Sequence, residues 1–284
     1  MISIVIPTLN RPGELIRLLK KIRNSETDSD LEVIIVDDSK EDISNAVGKI
    51  IKSGIYYIHR GEKLGVSSAR NAGAEVAKGE FLIFLDDDDD FTEDWLSDFH
   101  KEARDGADLV FCDMKRVESN GNKRIEKSIV DKNGKLIKSI LIPGAWMLRK
   151  ELFFEIGGYD EKLKYAENTE LFIRLQQVDL CVKRIPKANF IYYPSEDGGS
   201  KNLMNMINSL SWILQKQESQ LSPHVKYLYH QIIGVNYMRF QDFPNSRMHL
   251  LKAYLIKMYK LDTLGRLVIS CIPPIARILY PAKP

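Results

Sequence analysis

Hydrophobic positions in the first half of the chain alternate between two arrangements. Short continuous runs, ISIVI (2–6), LEVIIV (31–36), IYYI (55–58), FLIFL (81–85) and ADLVFC (107–112), predict strands buried on both faces. Stretches with helical spacing lie between them. Leu15, Ile16, Leu18, Leu19 and Ile22 follow the first run, Ile43, Val47, Ile50 and Ile51 the second, and a segment around 66–77 the third. TEDWLSDFHKEA (92–103) predicts a helix that starts at Thr92. Such alternation predicts an α/β fold, a parallel sheet with helices on both faces. Residues 114–142 are polar and basic, with turn signals at Asn120-Gly121 and Asn133-Gly134, and predict a hairpin or mobile loop. AWMLR (145–149) and 183–194 predict two later strands, with helices and a GGYD turn between them. Beyond SEDGGS (195–200) the pattern is wholly helical, so a sheet domain over 1–200 carries a helical region over 201–284.

Composition is ordinary for a globular chain of 284 residues, 44% hydrophobic and 28% charged, and excludes a disordered, collagen-like or coiled-coil protein. Charge changes the picture more. The net +2 conceals an acidic body and a basic tail. Residues 201–284 hold 11 Lys and Arg against 3 Asp and Glu, a net +8, whereas residues 1–200 hold 30 against 36, a net −6. The two parts are expected to meet different partners. Cys112, Cys181 and Cys271 form no CxxC pair, and the opening MISIVIPTLN lacks a basic leader and breaks at Pro7. Both features predict a cytoplasmic protein without a secretory signal.

In sheets of this kind a ligand binds beyond the carboxyl ends of the strands. The first, second and fourth strands end there in polar residues: Pro7-Thr8-Leu9-Asn10-Arg11, Asp37-Asp38 and the run Asp86 to Asp90. Most charge runs are solvated loops. This one is clamped between an apolar strand and a helix start, so its carboxylates cannot spread, and a hard divalent cation, Mg²⁺ or Mn²⁺, is the natural partner. Such ions keep positions open for phosphate oxygens, which implies a nucleoside diphosphate. A carboxylate such as Asp38 after a second strand accepts hydrogen bonds from ribose or base. Gly65 to Gly73 sets small residues at a helix start, suited either to a ligand on backbone N–H groups with Arg70 nearby or to tight helix–sheet packing. No glycine-rich, lysine-containing phosphate loop follows the first strand, which disfavours a nucleotidyltransferase.

SIVIPTLNR, VDD, GVSSARNAG, GEFLIFLDDDDDF, GGYDEKL and AENTELFIRL occur in this order over residues 1–195. Together they resemble the inverting family 2 glycosyltransferases with the A-type glycosyltransferase (GT-A) fold, a Rossmann-like sheet. The resemblance implies a catalytic domain over 1–200 and a metal-assisted sugar transfer from a nucleotide-sugar, usually a UDP-sugar, to a glycan or lipid-linked acceptor. It places Pro7, Thr8, Asn10, Arg11, Gly65, Arg70, Asp86 and Asp87 at the nucleotide-sugar and Asp38 at the base. The family's DxD motif falls on Asp86-Asp87-Asp88, with Asp86 and Asp88 as ligands to Mn²⁺ or Mg²⁺. Asp89 and Asp90 lie outside it and serve the acceptor side or cap the next helix.

In the family a Glu-Asp pair at a helix start supplies the general base, but the pair reads Glu167-Asn168 in this chain. An amide cannot accept a proton at neutral pH. Glu167 is the expected base, with Glu170 one turn later as the other candidate. The departure at 168 leaves a catalytically impaired nucleotide-sugar-binding or scaffolding module as the alternative function. The five histidines show no HxxxH spacing, and Trp146, Tyr192 and Tyr193 suit either an acceptor groove or sheet packing. In the tail, Leu250, Leu251, Tyr254, Leu255 and Met258 are expected on one helix face among Lys252, Lys257 and Lys260. That face suits an anionic membrane surface on the cytoplasmic side, or a bundle packed on the catalytic domain or a second subunit. No nucleic acid partner is expected.

Overall fold

The computed structural model describes residues 1–25, 30–48, 50, 54–131, 136–194 and 202–282. The apolar runs become β1 (Ile2–Thr8), β2 (Leu31–Asp37), β3 (Ile55–His59) and β4 (Phe81–Phe84). Between them lie α1 (Pro12–Ser25), α2 (Ser44–Gly48) and α3 (Val66–Val76). Every residue of β1, β2 and β4 is buried, as continuous apolar strands in a covered sheet should be. Helix α1 turns Leu15, Leu18, Leu19 and Ile22 toward the sheet at i, i+3, i+4 and i+7, each worth about 1.5–3 kcal/mol of burial. Helix α3 lies so close to β1 that a Cβ at Gly73 would collide with Val5 Cγ1.

The strands β5 (Asp90–Phe91), β6 (Leu109–Val117), β7 (Lys123–Glu126), β8 (Ile129–Val130), β9 (Leu136–Lys138), β10 (Trp146–Arg149) and β11 (Val182–Tyr192) follow. So do α4 (Trp95–Arg104), α5 (Lys150–Glu155) and α6 (Glu167–Leu175). The main sheet has the order β3-β2-β1-β4-β10-β6-β11-β5, with β7 paired to β6 and β8 paired separately to β9. The first four strands run parallel. The all-parallel expectation fails further along: β10 is antiparallel to both β4 and β6, and β5 to β11. Thr92 does not open a helix either. Its backbone N–H donates to Asn189 O at 2.8 Å beside the short β5, and α4 starts at Trp95 after Asp94. Trp95 stacks on Phe91 and donates its indole N–H to Gly144 O at 2.8 Å. The expected hairpin is β6–β7, turning at Asn120-Gly121, whereas Asn133-Gly134 and SEDGGS lie outside the described residues.

The described residues of the tail form the helices α7 (Leu203–Lys216), α8 (Pro223–Arg239), α9 (Phe243–Ile256), α10 (Leu261–Ser270) and α11 (Pro273–Leu279). Asn202, Ser222 and Asp242 cap α7, α8 and α9 with their side-chain oxygens. The chain divides into two compact units, Met1–Glu161 with Arg174–Glu196, and Lys162–Ile173 with Asp197–Pro284. The division falls inside α6. The single apolar face expected around 250–258 is not observed. Leu250 is fully buried, packed with Met238 and Phe243, while Leu251, Leu255 and Met258 are exposed.

Candidate active site

Because β1 to β4 run parallel, their carboxyl ends share one edge, and the side chains there are tied across the sheet. Asn10, in the left-handed region at φ 57°, donates its backbone N–H to Ser39 Oγ at 2.6 Å. Asp37 accepts from Ser39 N at 2.8 Å and from the Tyr57 hydroxyl at 2.6 Å, and burial with that carboxylate pushes the Tyr57 hydroxyl pKa well up. Asp38, also buried, accepts from Arg60 Nε at 2.6 Å and from the amides of Leu64 and Gly65 at 3.1 Å each. One carboxylate therefore fixes the loop that leads into α3.

The acidic run is not a bare cluster of charge. Asp87 and Asp89 are buried, whereas Asp86 and Asp88 are 38% and 46% exposed. Asp87 accepts from Thr8 Oγ1 at 2.7 Å and from Arg11 at 3.2 Å. Burial nevertheless pushes its pKa up to about 6, against the pull of Thr8 and Arg11. Asp89 accepts from the backbone N–H of Asp86 at 2.8 Å, and burial together with the Asp86 charge pushes it well above the usual carboxylate range. The outward pair meets arginines: Asp88 Oδ2 lies 2.6 Å from Arg11, and Asp86 Oδ1 lies 2.7 Å from the buried Arg70. Lys21 pairs with Asp90, and Arg17 donates to Asp88 O at 3.1 Å. Cations of the protein thus supply the screening that the sequence pattern assigned to a metal.

Residues 3–157 match the family model "Glycosyl transferase family 2", more than half of the chain and all of this edge. The chain belongs to glycosyl transferase family 2. Among relatives of this glycosyltransferase is the uncharacterized glycosyltransferase YwdF of Bacillus subtilis, 32% identical over 71% of this chain and 77% of its own. The GalNAc(5)-diNAcBac-PP-undecaprenol beta-1,3-glucosyltransferase of Campylobacter jejuni is 33% identical over 43% of this chain and 40% of its own. The crystal structure of S. aureus TarS 1–349 in complex with UDP-GlcNAc superposes with a TM-score of 0.65 at 19% identity, covering 96% of this chain and 88% of that one. The shared fold is the GT-A fold.

The transferase's edge brings together Pro7, Thr8, Asn10, Arg11, Asp38, Gly65, Arg70 and Asp86 to Asp88 within the first unit. Glu167 belongs to the second unit, at the first position of α6, after Ala166 at φ 59°. Asn168 Nδ2 lies 3.4 Å from Glu167 Oε1. Glu170 is fully buried and accepts from Gln217 Nε2 at 2.5 Å and Lys216 Nζ at 3.2 Å, which ties α6 to α7. Trp146 is a core residue against Phe84, and Tyr192 is half-buried against the Arg116 guanidinium. Arg60, which holds Asp38, escapes the sequence pattern. Its one signal is position, directly after β3 on the same edge.

No group of three or more His, Cys, Asp or Glu that could hold a metal occurs among the described residues. The donor set still fits a hard cation. Mg²⁺ characteristically takes one or two protein carboxylates and completes its shell with water and phosphate oxygens. Asp86 and Asp88 offer two such carboxylates, and they are the two members of the DxD triplet that face solvent.

Proposed function

We propose that this glycosyltransferase moves a sugar from a UDP-sugar to a hydroxyl of a glycan or lipid-linked acceptor, with inversion at the anomeric carbon and with Mn²⁺ or Mg²⁺ as cofactor. The observation that carries the reading is the alternation in the acidic run, with Asp86 and Asp88 outward and Asp87 and Asp89 turned in. Asp86 and Asp88 would hold the cation. Bound there, it offsets the negative charge that gathers on the departing diphosphate. The names of two similar proteins support the substrate classes: TarS is seen with UDP-GlcNAc, and the Campylobacter enzyme is named for an undecaprenol-linked acceptor.

Arg11 and Arg70 carry the planar fork of donors that suits phosphate as well as carboxylate. We assign them, with Pro7, Thr8, Asn10, Gly65 and Asp87, to the nucleotide-sugar, and Asp38 to the base. Arg60 and the amides of Leu64 and Gly65 keep the Asp38 carboxylate in place. In the transfer, the acceptor oxygen bonds to the anomeric carbon as the bond to the diphosphate breaks. To Glu167 we assign the acceptance of the acceptor's proton, the general-base step that an inverting transfer requires. Asn168 cannot take that proton, and Glu170 is already engaged with Lys216 and Gln217.

Thermal melts with UDP, GDP, ADP and CDP, each with and without Mn²⁺, test the reading. UDP with Mn²⁺ should raise the melting temperature most, by about 2.7 kcal/mol of added stability at a concentration a hundredfold above Kd. Equal stabilisation by all four nucleotides, or by none, would reject a UDP-sugar donor.

A further inference from the structure

The last three helices carry large apolar side chains on the side away from their own core. In α9 the inward positions are Phe243, Ser246, His249, Leu250 and Ala253. A second stripe, Met248, Leu251 and Leu255 at i, i+3 and i+7, faces outward and is 44%, 46% and 57% exposed. In α10 Thr263 and Ser270 are buried and Leu267 and Ile269 pack partly against the core, while Leu261 and Val268 are exposed. Thr263 is held inside by the Tyr227 hydroxyl at 3.0 Å and Gln231 at 2.8 Å. In α11 the small Ala276 is inside while Ile275, Ile278 and Leu279 are outside. Three successive helices that each set Leu, Ile, Val or Met outward, α9 in addition to its apolar buried face, leave an apolar surface that water alone does not favour.

The charge of these helices is predominantly positive. Arg247, Lys252, Lys257, Lys260, Arg266 and Arg277 fall within α9 to α11 and their junctions, against the single carboxylate Asp262. Lys257 meets the His224 ring nitrogen at 2.5 Å and the Tyr227 ring. Among the described residues, none of the six is paired with a carboxylate. No helix there is long and apolar enough to cross a membrane. We infer that α9 to α11 form a surface that lies in the interfacial layer of an anionic membrane, with the apolar stripes among acyl chains and the cations among headgroups. Tyr259, 72% exposed, is of the residue type that settles at headgroup level. A second copy on the same face would set like charge against like, because a two-fold interface pairs a patch with itself. Anionic lipid neutralises the patch instead. The inference rests on this surface and not on the transfer reaction.

Flotation of the full chain with vesicles tests it. Binding to phosphatidylcholine mixed with phosphatidylglycerol at low salt should exceed binding to phosphatidylcholine alone, or at high salt, by about tenfold or more. Leu255→Glu with Ile278→Glu alters two exposed positions, so far-UV circular dichroism should be unchanged while flotation is lost. Lys252→Glu with Arg277→Glu should remove the preference for anionic lipid. Failure of the full chain to float with anionic vesicles, or equal flotation of the Leu255→Glu, Ile278→Glu variant, would overturn the inference. So would a dimer, measured by light scattering, that the same double variant dissolves, since it would assign the surface to a second copy.

Discussion

Arg11 Nη1 lies 2.6 Å from Asp88 Oδ2, so a metal at Asp88 must compete with a guanidinium of the same chain. On the proposed assignment, removing Arg11 should affect metal and nucleotide in opposite directions. Arg11→Met should tighten Mn²⁺ binding measured without nucleotide and weaken UDP binding, each by roughly tenfold, the scale of one charge-assisted hydrogen bond. Calorimetry with each ligand separately checks this. Unchanged Mn²⁺ affinity would show that Arg11 does not guard the site.

The two glutamates of α6 separate chemistry from structure. Glu167→Gln should lower kcat by about a hundredfold or more and leave the donor KM unchanged, as loss of a general base does. Glu170→Ala should instead destabilise the helical unit by about 1–3 kcal/mol, since Lys216 and Gln217 lose their buried acceptor. Its activity should fall only with the folded fraction. A large kcat loss in a fully folded Glu170 variant would transfer the base role to that residue.

Much of this layout is legible in the amino-acid pattern, for identifiable physical reasons. Ile2–Thr8, Leu31–Asp37 and Phe81–Phe84 are buried on both faces, so their unbroken apolar runs mark strands and place Thr8, Asp38 and Asp86 at one edge. Strand direction leaves no such trace, and the antiparallel Trp146–Arg149 reads like its parallel neighbours. Thr92 resembles a helix cap locally, yet its partner Asn189 lies far along the chain. Arg60 is a lone arginine in the sequence and gains its role only through contact with Asp38. Periodicity also fails for Phe243–Ile256, because that helix is apolar on its exposed face as well as its buried one.

The helical unit should weaken in acid. His230 Nδ1 and His249 Nδ1 lie 3.0 Å apart, an arrangement that needs one nitrogen without a proton. Burial, with the neighbouring His230 and Lys252 charges, lowers His249 from its ordinary value of 6.5 to about 4, and burial lowers His230 as well. Between these values the unfolded chain binds more protons than the folded one, so stability rises with pH. The contribution of His249 is complete above about pH 6.5 and falls away as pH drops toward about 4. Melting temperature across this window checks the sign, and His249→Gln should flatten the dependence. A steeper dependence in the variant would place the acid sensitivity elsewhere.

The most direct test of the account is calorimetric titration of UDP into the wild-type chain and into Asp88→Ala, each with and without Mn²⁺. The wild type should bind UDP at least about tenfold more tightly with the metal, the scale of one lost charge interaction, and the variant should show no such gain while melting as a folded protein. Equal UDP affinity in all four titrations would contradict the assignment of a metal-assisted nucleotide site to the outward aspartates.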